Sequence, residues 1–460
     1  MTASVEELKK ILGASRVLTD SESLKIYGLD WTRYYEPNPT AIVFPQTTAE
    51  VQNLVQWSLK TKTPLVPSGG RTGLSSGAVA TNREVVVSFE RMNKILDFNS
   101  ADQTLTCEAG VITQTVQEYA LEKGFYFPVD FASKGSSQIG GNIATNAGGV
   151  KVLRYGLMRN WVTGLKVVTG RGEIIEFNKA LVKNASGYDL MQLFIGSEGT
   201  LGFVTEAILR VTQIPLPLQV MLFGVPDLDS IMKIYEKAKR ALPLTAFEMF
   251  SELALKYVLA QSNMPRPMPT THPYYVLVEG EKITTAANES FFKLFEDCVH
   301  AGWVSDGIIS QTDTQFKEIW SLRENVAESV SPHSPYKNDI SVRVSVVPEF
   351  IRETDSLLSK NYPDFEVVWF GHIGDGNLHI SILKPQAWDK QKFYSACRKV
   401  DDILYSTIQK YAGSISAEHG VGLAKKAFLH YTKSKEEINY MKLIKNQFDP
   451  ENILNPGKIF

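Results

Sequence analysis

The sequence predicts an α+β protein with more than one domain, and three observations support this fold class. The chain has 460 residues, which is more than one ordinary hydrophobic core serves. Short apolar runs of strand length alternate with segments of helical periodicity. After Pro215 and Pro217 the pattern of predicted elements changes, and longer helical stretches follow. We therefore expect domains at residues 1–218 and 219–415, followed by a C-terminal helical segment at 416–460.

Composition argues against several classes of function. The formal net charge is -2, so there is no electrostatic basis for nucleic-acid binding, which relies on clustered lysine and arginine. No apolar run approaches the ~18 residues of a membrane helix, and the first residues do not resemble a secretory signal. Cys107, Cys298 and Cys397 are scattered and form no CxxC pair, which suggests a reducing compartment. We expect a cytoplasmic protein that has no membrane span and binds no nucleic acid.

In the first domain, short strands alternate with two helices. Thr47 and Glu50 form a capping-box signature for a helix that ends near Lys60. A second helix, at residues 112–123, stops at Gly124, a residue type typical of helix C-caps. The predicted strands lie at residues 41–45, 64–67, 85–89 and 105–108, with a hairpin formed by 162–168 and 173–177.

In the second domain, strands alternate with long helices, which indicates an α+β sheet covered on one face. The last forty residues are predicted to be helical. The predicted strands lie at residues 221–225, 274–280, 307–312, 340–347 and 366–370, and the longest predicted helices at 228–241 and 286–301.

Glycine is concentrated in three clusters that also contain serine, threonine or asparagine. They lie at residues 67–78, 134–149 and 196–204. Such loops present several backbone N–H groups at close range, which is what a pyrophosphate requires. None matches the GxGxxG or GxxxxGK[ST] fingerprint. Each cluster alone is also compatible with tight turns, but the three together favour a large dinucleotide lying across one domain.

Two motifs in the second half combine histidines with a carboxylate. GHIGDGNLHI contains His372 and His379, and SAEHGVG contains Glu418 and His419. Glycines between the first two histidines exclude a helix, so we expect two strands linked by a turn, with both imidazoles converging on one ion. Together with Glu418 they form a catalytic-metal ligand pattern with open positions for a substrate. For any one histidine, a hydrogen-bonded core or surface position is the commoner alternative.

The three glycine clusters, in this order, resemble the FAD-binding domain of the vanillyl-alcohol-oxidase and p-cresol-methylhydroxylase (PCMH) flavoproteins. The resemblance implies a two-part PCMH-type FAD-binding domain, an α+β substrate (cap) domain with an antiparallel sheet, and a C-terminal segment returning to the flavin. Covalent members attach FAD through a histidine where this chain has Arg71, so non-covalent FAD is implied. The implied pyrophosphate contacts are Ser68, Gly69, Gly70, Arg71, Thr72, Gly73 and Leu74. The implied flavin contacts are Ser136, Ser137, Gly140, Gly141, Asn142, Asn146, Gly148, Glu198, Gly202, Val204 and Asn455.

The histidine motifs resemble the D-2-hydroxyacid dehydrogenase branch of this superfamily, which includes D-lactate and D-2-hydroxyglutarate dehydrogenases and the flavin subunit of glycolate oxidase. The match extends to the NPGK tail at residues 455–458, and it is specific because GHxGDGNxH and SAEHGxG occur together. It implies that His372, His379 and Glu418 bind zinc or another divalent metal. It further implies that His419 is the general base.

The implied reaction agrees with the chemistry of these groups. A 2-hydroxy acid can chelate a metal through its hydroxyl and carboxylate, which orients the substrate and lowers the hydroxyl pKa. His419 would remove the hydroxyl proton, and the C2 hydride would pass to flavin N5. The chain has no cysteine-rich iron–sulfur motif, so electrons would pass to a separate acceptor such as a quinone, an electron-transfer flavoprotein or a cytochrome.

Cationic side chains bear on the identity of the substrate. Arg323 matches the arginine that binds a carboxylate in the family, and Lys337 resembles the dicarboxylate-specific branch, although a solvated surface charge is the alternative for it. Arg343 stands where relatives often have proline and offers a second cation. Ala327 and Ser381, however, replace a threonine and an asparagine expected in 2-hydroxyglutarate enzymes. We expect D-2-hydroxyglutarate or a similar dicarboxylate, with D-lactate or a glycolate-oxidase-like complex as alternatives.

Two other interpretations account for part of the pattern. Alkyl-dihydroxyacetone-phosphate synthases share the fold and use FAD without net oxidation, but they lack the paired GHxGDGNxH and EHG motifs. Alternatively, the chain is a flavin subunit that is inactive until it joins iron–sulfur and other partners. The sequence leaves the assembly open, with a homodimer as one option.

Overall fold

The computed structural model divides into two compact units. Unit 1 comprises Met1–Gly149, Gly156–Ile214 and Glu418–Phe460. Unit 2 comprises Val150–Tyr155 and Pro215–Ala417. No helix in the described part of the chain is both long and apolar enough to cross a membrane. The residues that the structure describes are 2–262, 264–282 and 287–460.

The strands and helices are numbered in chain order. The strands are β1 (Val17–Leu18), β2 (Ala41–Val43), β3 (Leu65–Ser68), β4 (Val85–Ser88), β5 (Ile95–Asn99), β6 (Thr104–Glu108), β7 (Phe125–Tyr126), β8 (Val162–Thr169), β9 (Ile174–Phe177), β10 (Gly202–Arg210), β11 (Thr212–Gln213), β12 (Leu218–Val225), β13 (Leu244–Ser251), β14 (Tyr274–Glu281), β15 (Asp306–Ile309), β16 (Tyr336–Ser341), β17 (Val367–Gly371) and β18 (Asn377–Ile382). The α-helices are α1 (Thr2–Leu12), α2 (Ser21–Tyr27), α3 (Thr48–Thr61), α4 (Thr113–Glu122), α5 (Ile139–Thr145), α6 (Val152–Tyr155), α7 (Met191–Phe194), α8 (Leu228–Ala241), α9 (Glu252–Ser262), α10 (Ala287–His300), α11 (Asp313–Glu324), α12 (Val326–Ser329), α13 (Val347–Asn361), α14 (Lys390–Lys410) and α15 (Lys435–Phe448).

Unit 1 is built from small sheets. In the four-stranded sheet, of order β1-β2-β4-β3, strands β2 and β3 run parallel to β4. The five-stranded sheet, β5-β6-β10-β8-β9, is antiparallel throughout. A two-stranded ribbon joins β7 and β11. The strands and the hairpin predicted for the first domain are confirmed to within one or two residues at their ends.

The predicted helix ends in unit 1 are also confirmed, but only half of the predicted capping box forms, because the Glu50 carboxylate binds Arg16 and the backbone N–H of Gln46. The side chain of Thr47 accepts a hydrogen bond from the backbone N–H of Glu50 at 3.2 Å, which caps α3. After α4 the chain turns at Gly124, whose φ is +80°. The first glycine cluster directly follows β3, the second contains α5, and the third leads into β10. The clusters are therefore held at the ends of regular elements.

Unit 2 contains one antiparallel seven-stranded sheet of order β15-β12-β14-β13-β17-β18-β16. Helices cover both faces. On one face Phe250 belongs to a core cluster with residues of α9 and α11. On the other face Phe247 packs on Tyr235 of α8, with ring centroids 5.0 Å apart, and Trp369 donates a hydrogen bond to Asp355 of α13. The prediction of a sheet covered on one face was therefore wrong. The nearly continuous apolar runs of β12 and β14 are typical of strands buried on both faces.

Several element predictions in unit 2 need correction. The predicted strand 340–347 ends at Ser341, and Val344–Val346 forms a 3-10 helix before α13 begins, because Pro348 favours the first turn of a helix. Strand β13 was not predicted. Helix 228–241 is confirmed, and α10 matches the predicted 286–301, whose first residue lies outside the described residues. In the last forty residues only α15 and the 3-10 helix Lys426–Tyr431 are helical among the described elements.

Candidate active site

The first two glycine clusters pack against each other in unit 1. A Cβ atom on Gly70 would collide with the backbone of Ser136, so only glycine fits there. A Cβ on Gly69 would lie 3.5 Å from Cβ of Gln138 and 3.9 Å from Cα of Gly141. The first cluster, predicted to bind the pyrophosphate, is therefore next to the second cluster, predicted to bind the flavin.

The same region has room for a polar ligand. A Cβ on Gly141 would have no atom of the described residues within 4 Å beyond its own helix, and one on Gly73 would meet only Asp30 Oδ2, at 3.6 Å. Four buried side-chain oxygens beside the clusters have no hydrogen-bond partner in the described part of the chain. Buried polar atoms normally have partners, so a ligand with several polar groups fits here. The four oxygens are Asp30 Oδ2, Ser68 Oγ, Gln138 Oε1 and Asn455 Oδ1.

Left-handed backbone occurs at four of the predicted cofactor residues. Arg71, Asn146, Glu198 and Asn455 adopt φ angles of +57°, +51°, +51° and +43°. The same conformation is found at turns outside the clusters, such as Lys62 and Ser334, and at Asn146 it forms the C-cap of α5. It therefore shapes these loops and does not by itself identify a cofactor site.

The side chains of several predicted cofactor residues are bound within the protein. Arg71 places its guanidinium 4.4 Å from the ring centroid of Tyr27. Asn142 donates to Thr113 Oγ1 at 2.6 Å, and Ser137 exchanges a hydrogen bond with the same hydroxyl at 2.7 Å. These side chains shape the loops, so the backbone N–H groups are the donors that remain for a pyrophosphate.

Glu198 connects the third cluster to the EHGVG loop. Its carboxylate accepts hydrogen bonds from the backbone N–H groups of Val421 at 2.7 Å and Gly422 at 2.8 Å. Burial raises the pKa of Glu198, although these two hydrogen bonds oppose the shift. Asn455 donates through Nδ2 to the carbonyls of Gly77 at 2.9 Å and Glu198 at 2.7 Å. The first cluster, the third cluster, the EHGVG loop and the C-terminal tail thus form one connected structure in unit 1.

Two other predicted glycines serve packing inside unit 1. A Cβ on Gly140 would lie 2.8 Å from Cβ of Ala109, and one on Gly202 would lie 3.0 Å from the carbonyl oxygen of Val168. Their close approach to protein explains these glycines without a cofactor. The other predicted cofactor residues lie within the same three clusters and are Thr72, Leu74, Gly148 and Val204.

The two histidines of the GHIGDGNLHI motif lie where the strand–turn–strand prediction placed them. His372 directly follows β17 and His379 lies within β18, opposite Phe370. Their ring centroids are 5.5 Å apart. The turn between them contains Gly376, whose φ of +84° favours glycine.

Each of these histidines has a buried carboxylate beside Nδ1. Nδ1 of His372 lies 2.8 Å from Oε1 of Glu248 on β13. Nδ1 of His379 lies 3.8 Å from Oδ1 of Asp339, its cross-strand partner on β16. Metal-binding histidines generally present the arrangement seen at His372, in which a carboxylate holds one ring nitrogen and the other binds the ion, whereas the 3.8 Å separation at His379 is too long for a hydrogen bond. The donor set therefore fits a divalent metal. Neither carboxylate was predicted from the sequence.

Arg323 of α11 shares Glu248 with His372. Its Nη2 atom lies 2.9 Å from Oε2 of Glu248, and its guanidinium lies 5.1 Å from the ring centroid of Phe370. Burial alone would raise the pKa of Glu248, but its electrostatic contacts with His372 and Arg323 hold the pKa below its ordinary value. Burial raises the pKa of nearby Asp375 to about 6. Glu248 is thus a buried carboxylate between two predicted functional residues.

The other predicted residues occupy different places. Lys337 lies on β16 opposite Ser381, and its side chain is exposed, although desolvation by the surrounding protein lowers its pKa. Arg343 is exposed and precedes the 3-10 helix. In unit 1, Nε2 of His419 lies 3.6 Å from Oε1 of Glu418, and both side chains are 20% exposed. The predicted metal ligands are thus distributed over the two units, with the histidines in unit 2 and Glu418 in unit 1.

The sequence matches two protein families along most of its length. Residues 39–178 match the family described as FAD binding domain. Residues 214–459 match the family described as FAD linked oxidases, C-terminal domain.

Curated relatives match over nearly their full length. A protein of Stutzerimonas stutzeri named D-2-hydroxyglutarate dehydrogenase is 55% identical over 100% of this chain and 99% of its own. One of Xanthomonas citri pv. viticola with the same name is 52% identical over 98% of this chain and 96% of its own. A relative from Schizosaccharomyces pombe, 35% identical over 99% of this chain and 89% of its own, carries a D-lactate dehydrogenase name.

Solved structures with the same fold are distant in sequence. p-Cresol methylhydroxylase with bound substrate superimposes with a TM-score of 0.79 at 16% identity, covering 100% of this chain and 96% of its own. Alkyldihydroxyacetonephosphate synthase gives a TM-score of 0.75 at 17% identity, covering 100% and 85%. At these identities the likeness establishes the fold, and the predicted two-part flavoprotein fold with an antiparallel second sheet is confirmed.

Proposed function

Because the chain belongs to the family of FAD-linked oxidases, we propose that it oxidises D-2-hydroxyglutarate, or a similar D-2-hydroxy dicarboxylate, to the 2-oxo acid. The observation that carries this proposal is the buried cluster of His372, Glu248 and Arg323 in unit 2. It combines a histidine oriented for a metal with a cation suited to a carboxylate. The names of the two bacterial relatives support the choice of substrate.

Unit 1 holds the cofactor in this proposal. The backbone N–H groups of the first cluster bind the pyrophosphate, and the second and third clusters, with Asn455, bind the remainder of FAD without a covalent bond. The open face at Gly73 and Gly141 and the four unpartnered oxygens support this assignment. Bound FAD supplies the acceptor for the C2 hydride of the substrate.

The metal ligands in this proposal are His372, His379 and Glu418, with zinc as the expected ion. Two imidazoles and one carboxylate form a common catalytic zinc set, which leaves positions for the substrate hydroxyl and carboxylate. The ion supplies Lewis acidity that lowers the hydroxyl pKa. The buried carboxylate that holds Nδ1 of His372 supports this role.

The protein's own side chains complete the chemistry. His419 accepts the hydroxyl proton, because imidazole is a base at neutral pH and this residue adjoins the proposed ligand Glu418. Arg323 binds the 1-carboxylate through donors that Glu248 does not use. Lys337 and Arg343, both exposed, are assigned to the distal carboxylate of a dicarboxylic acid. Their exposure makes this the weakest electrostatic contact of the proposed site.

The reaction requires an electron acceptor outside this chain. Two electrons must leave the flavin for a separate acceptor, for which we propose a quinone, an electron-transfer flavoprotein or a cytochrome. We further propose the cytoplasm as the location and a homodimer as the assembly, with residues 1–218, 219–415 and 416–460 as the functional divisions of the chain.

A substrate panel tests the proposal. The purified protein is assayed with an artificial dye acceptor and D-2-hydroxyglutarate, L-2-hydroxyglutarate, D-lactate or glycolate. We expect the highest kcat/KM with D-2-hydroxyglutarate and little activity with its L isomer. A preference for D-lactate would favour the alternative that the Schizosaccharomyces pombe relative and the departures at Ala327 and Ser381 support. Inactivity towards all four acids would contradict the proposal.

A further inference from the structure

We propose that Glu248 is a positioning residue that fixes a metal-binding histidine and a carboxylate-binding arginine in one geometry. The inference rests on the proposed roles of His372 and Arg323. It adds a residue from a largely apolar strand, β13, which neither the motifs nor the sequence pattern indicated. Its side chain is nearly inaccessible, with 1% of its surface exposed.

The apolar surroundings of Glu248 require its carboxylate to have a cation or hydrogen-bond donors beside it. It lies on β13 on the same face as Ala246 and Phe250, which belong to the hydrophobic core cluster. An ionised carboxylate in such surroundings is costly unless cations and hydrogen-bond donors surround it. Arg323 supplies the compensating charge and His372 supplies an N–H donor. The strand thus presents one negative charge, and two proposed functional groups converge on it.

The hydrogen bond to His372 determines which ring nitrogen can bind a metal. Since the carboxylate only accepts, the Nδ1 atom of His372 must carry the proton in their 2.8 Å contact. The lone pair of the neutral ring is then on Nε2. Glu248 therefore fixes both the tautomer and the orientation of the imidazole, which increases the affinity of His372 for a metal ion.

The ion pair with Arg323 orients the second group. The guanidinium is held in place by its ion pair with Oε2 of Glu248, at 2.9 Å from Nη2, and by its position over the Phe370 ring. Nε and Nη2 of Arg323 have no hydrogen-bond partner among residues the structure describes, so both can donate to a substrate carboxylate. The same helix, α11, is docked a second time, because Trp320 donates to buried Glu279 at 2.8 Å. Glu248 thus sets the spacing between a metal ligand and a carboxylate-binding cation.

Glu279 provides a matched control for this role. It is also fully buried, lies on the same face of the sheet, and is held by the ammonium of Lys151 and the indole of Trp320. The hydrogen bonds of Glu279 go to Lys151, Thr245 and Trp320, none of which is a proposed metal or substrate ligand. Replacing either glutamate by glutamine removes one buried negative charge and leaves the shape nearly unchanged. Both variants are expected to lose stability, but only one should affect the metal.

The experiment compares wild type, E248Q, E248D and E279Q as FAD-loaded proteins without substrate. Zn²⁺ affinity is measured by competition with a fluorescent chelator, and melting temperatures are recorded in parallel. We expect E248Q to weaken Zn²⁺ binding by about 10–100-fold, as is usual when the carboxylate behind a ligating histidine is lost. E248D, which keeps the charge, should weaken it less, and E279Q should bind Zn²⁺ like wild type. In E248Q the KM for the acid should also rise.

The outcomes separate this inference from the proposed function. If wild type binds Zn²⁺ and both Glu248 variants bind it equally well, Glu248 is only a structural counter-charge and the inference is overturned. If E248Q does not fold, the comparison is made with E248D, and equal Zn²⁺ affinity of E248D and wild type overturns the inference. Equal weakening in E279Q would also overturn it, since the effect would then follow from any buried charge. If wild type binds no Zn²⁺, the metal role in the proposed function fails as well.

Discussion

Units 1 and 2 of this protein prepare for their ligands by different physical means. In unit 1 the predicted cofactor residues are mostly glycines and small polar residues, and several of the side chains, such as those of Asn142 and Glu198, hydrogen-bond within the protein. In unit 2 the predicted residues are ionisable, and His372 and Arg323 are held by a buried carboxylate. A backbone cradle tolerates little change in shape, whereas a charge cluster tolerates little change in charge.

This difference leads to opposite expectations for mutations. Steric changes in the glycine clusters of unit 1 should remove the cofactor and leave the ionisable groups intact, including Glu418 and His419 of the same unit. Changes of charge at the ionisable groups of either unit should remove metal binding, substrate binding or proton transfer and leave FAD bound. Each of the following predictions tests one side of the contrast.

The largest effect is expected from loss of the metal. His379→Ala, or treatment with a chelator, should lower turnover by at least about 10³-fold, because Lewis-acid catalysis contributes several kcal/mol. The variant should keep its FAD, which is measured by visible absorption of the desalted protein. Full activity in metal-free protein would show that the metal has no role in turnover. Loss of FAD together with the metal would show that the two sites do not depend on separate groups of residues.

The next effect concerns the proposed base. His419→Asn should lower kcat by ~10²–10⁴-fold, the usual contribution of positioned proton transfer, with a much smaller change in KM. Steady-state kinetics combined with metal analysis of the variant provide the measurement. If turnover is nearly normal and metal is lost, His419 is a ligand and another residue is the base.

A pair of glycine variants tests the cradle. Gly141 is exposed in α5, and a Cβ atom there would meet no described residue beyond its helix, so Gly141→Leu should cost the apoprotein little stability. The leucine should nevertheless lower FAD affinity, because it occupies space assigned to the cofactor. FAD titration by fluorescence quenching and melting of the apoprotein measure the two effects separately.

Gly70→Ala is the second variant of the pair and serves as the control for Gly141→Leu. Its methyl group would collide with the backbone of Ser136, so both apoprotein stability and FAD affinity should fall. If Gly141→Leu binds FAD like wild type, the open face at Gly141 is not part of the cofactor site.

The smallest effect is expected at Lys337. Its side chain is exposed, so its contact with a distal carboxylate should contribute only about 1 kcal/mol. Lys337→Met should therefore lower kcat/KM for D-2-hydroxyglutarate by about fivefold relative to that for D-lactate. An unchanged ratio of the two kcat/KM values would identify Lys337 as a surface charge with no role in specificity.

The sequence revealed those features whose signal is local. Tight turns require glycine, so the three clusters and the strand–turn–strand between His372 and His379 could be predicted from composition and spacing. The cap formed by Thr47 and Glu50 is local in the same sense. The family resemblance then gave the fold, which the comparisons confirm.

Features that depend on distant partners were missed. Glu248 is one acid in an apolar strand, and its partner His372 is 124 residues away in the sequence, so no spacing rule connects them. The role of Glu198 in bracing the EHGVG loop is hidden for the same reason, because its partner Val421 is 223 residues away. The burial of the sheet on both faces could have been read from the continuous apolar runs of β12 and β14.

The central claim is that the protein removes a hydride from a D-2-hydroxy acid with its own bound FAD. Anaerobic mixing of FAD- and zinc-loaded protein with excess D-2-hydroxyglutarate, in the absence of any acceptor, tests it most directly. We expect the visible absorption of oxidised flavin to be lost, with one 2-oxoglutarate formed per flavin, and no change with L-2-hydroxyglutarate. A flavin that stays oxidised with D-2-hydroxyglutarate, D-lactate and glycolate alike would contradict the account.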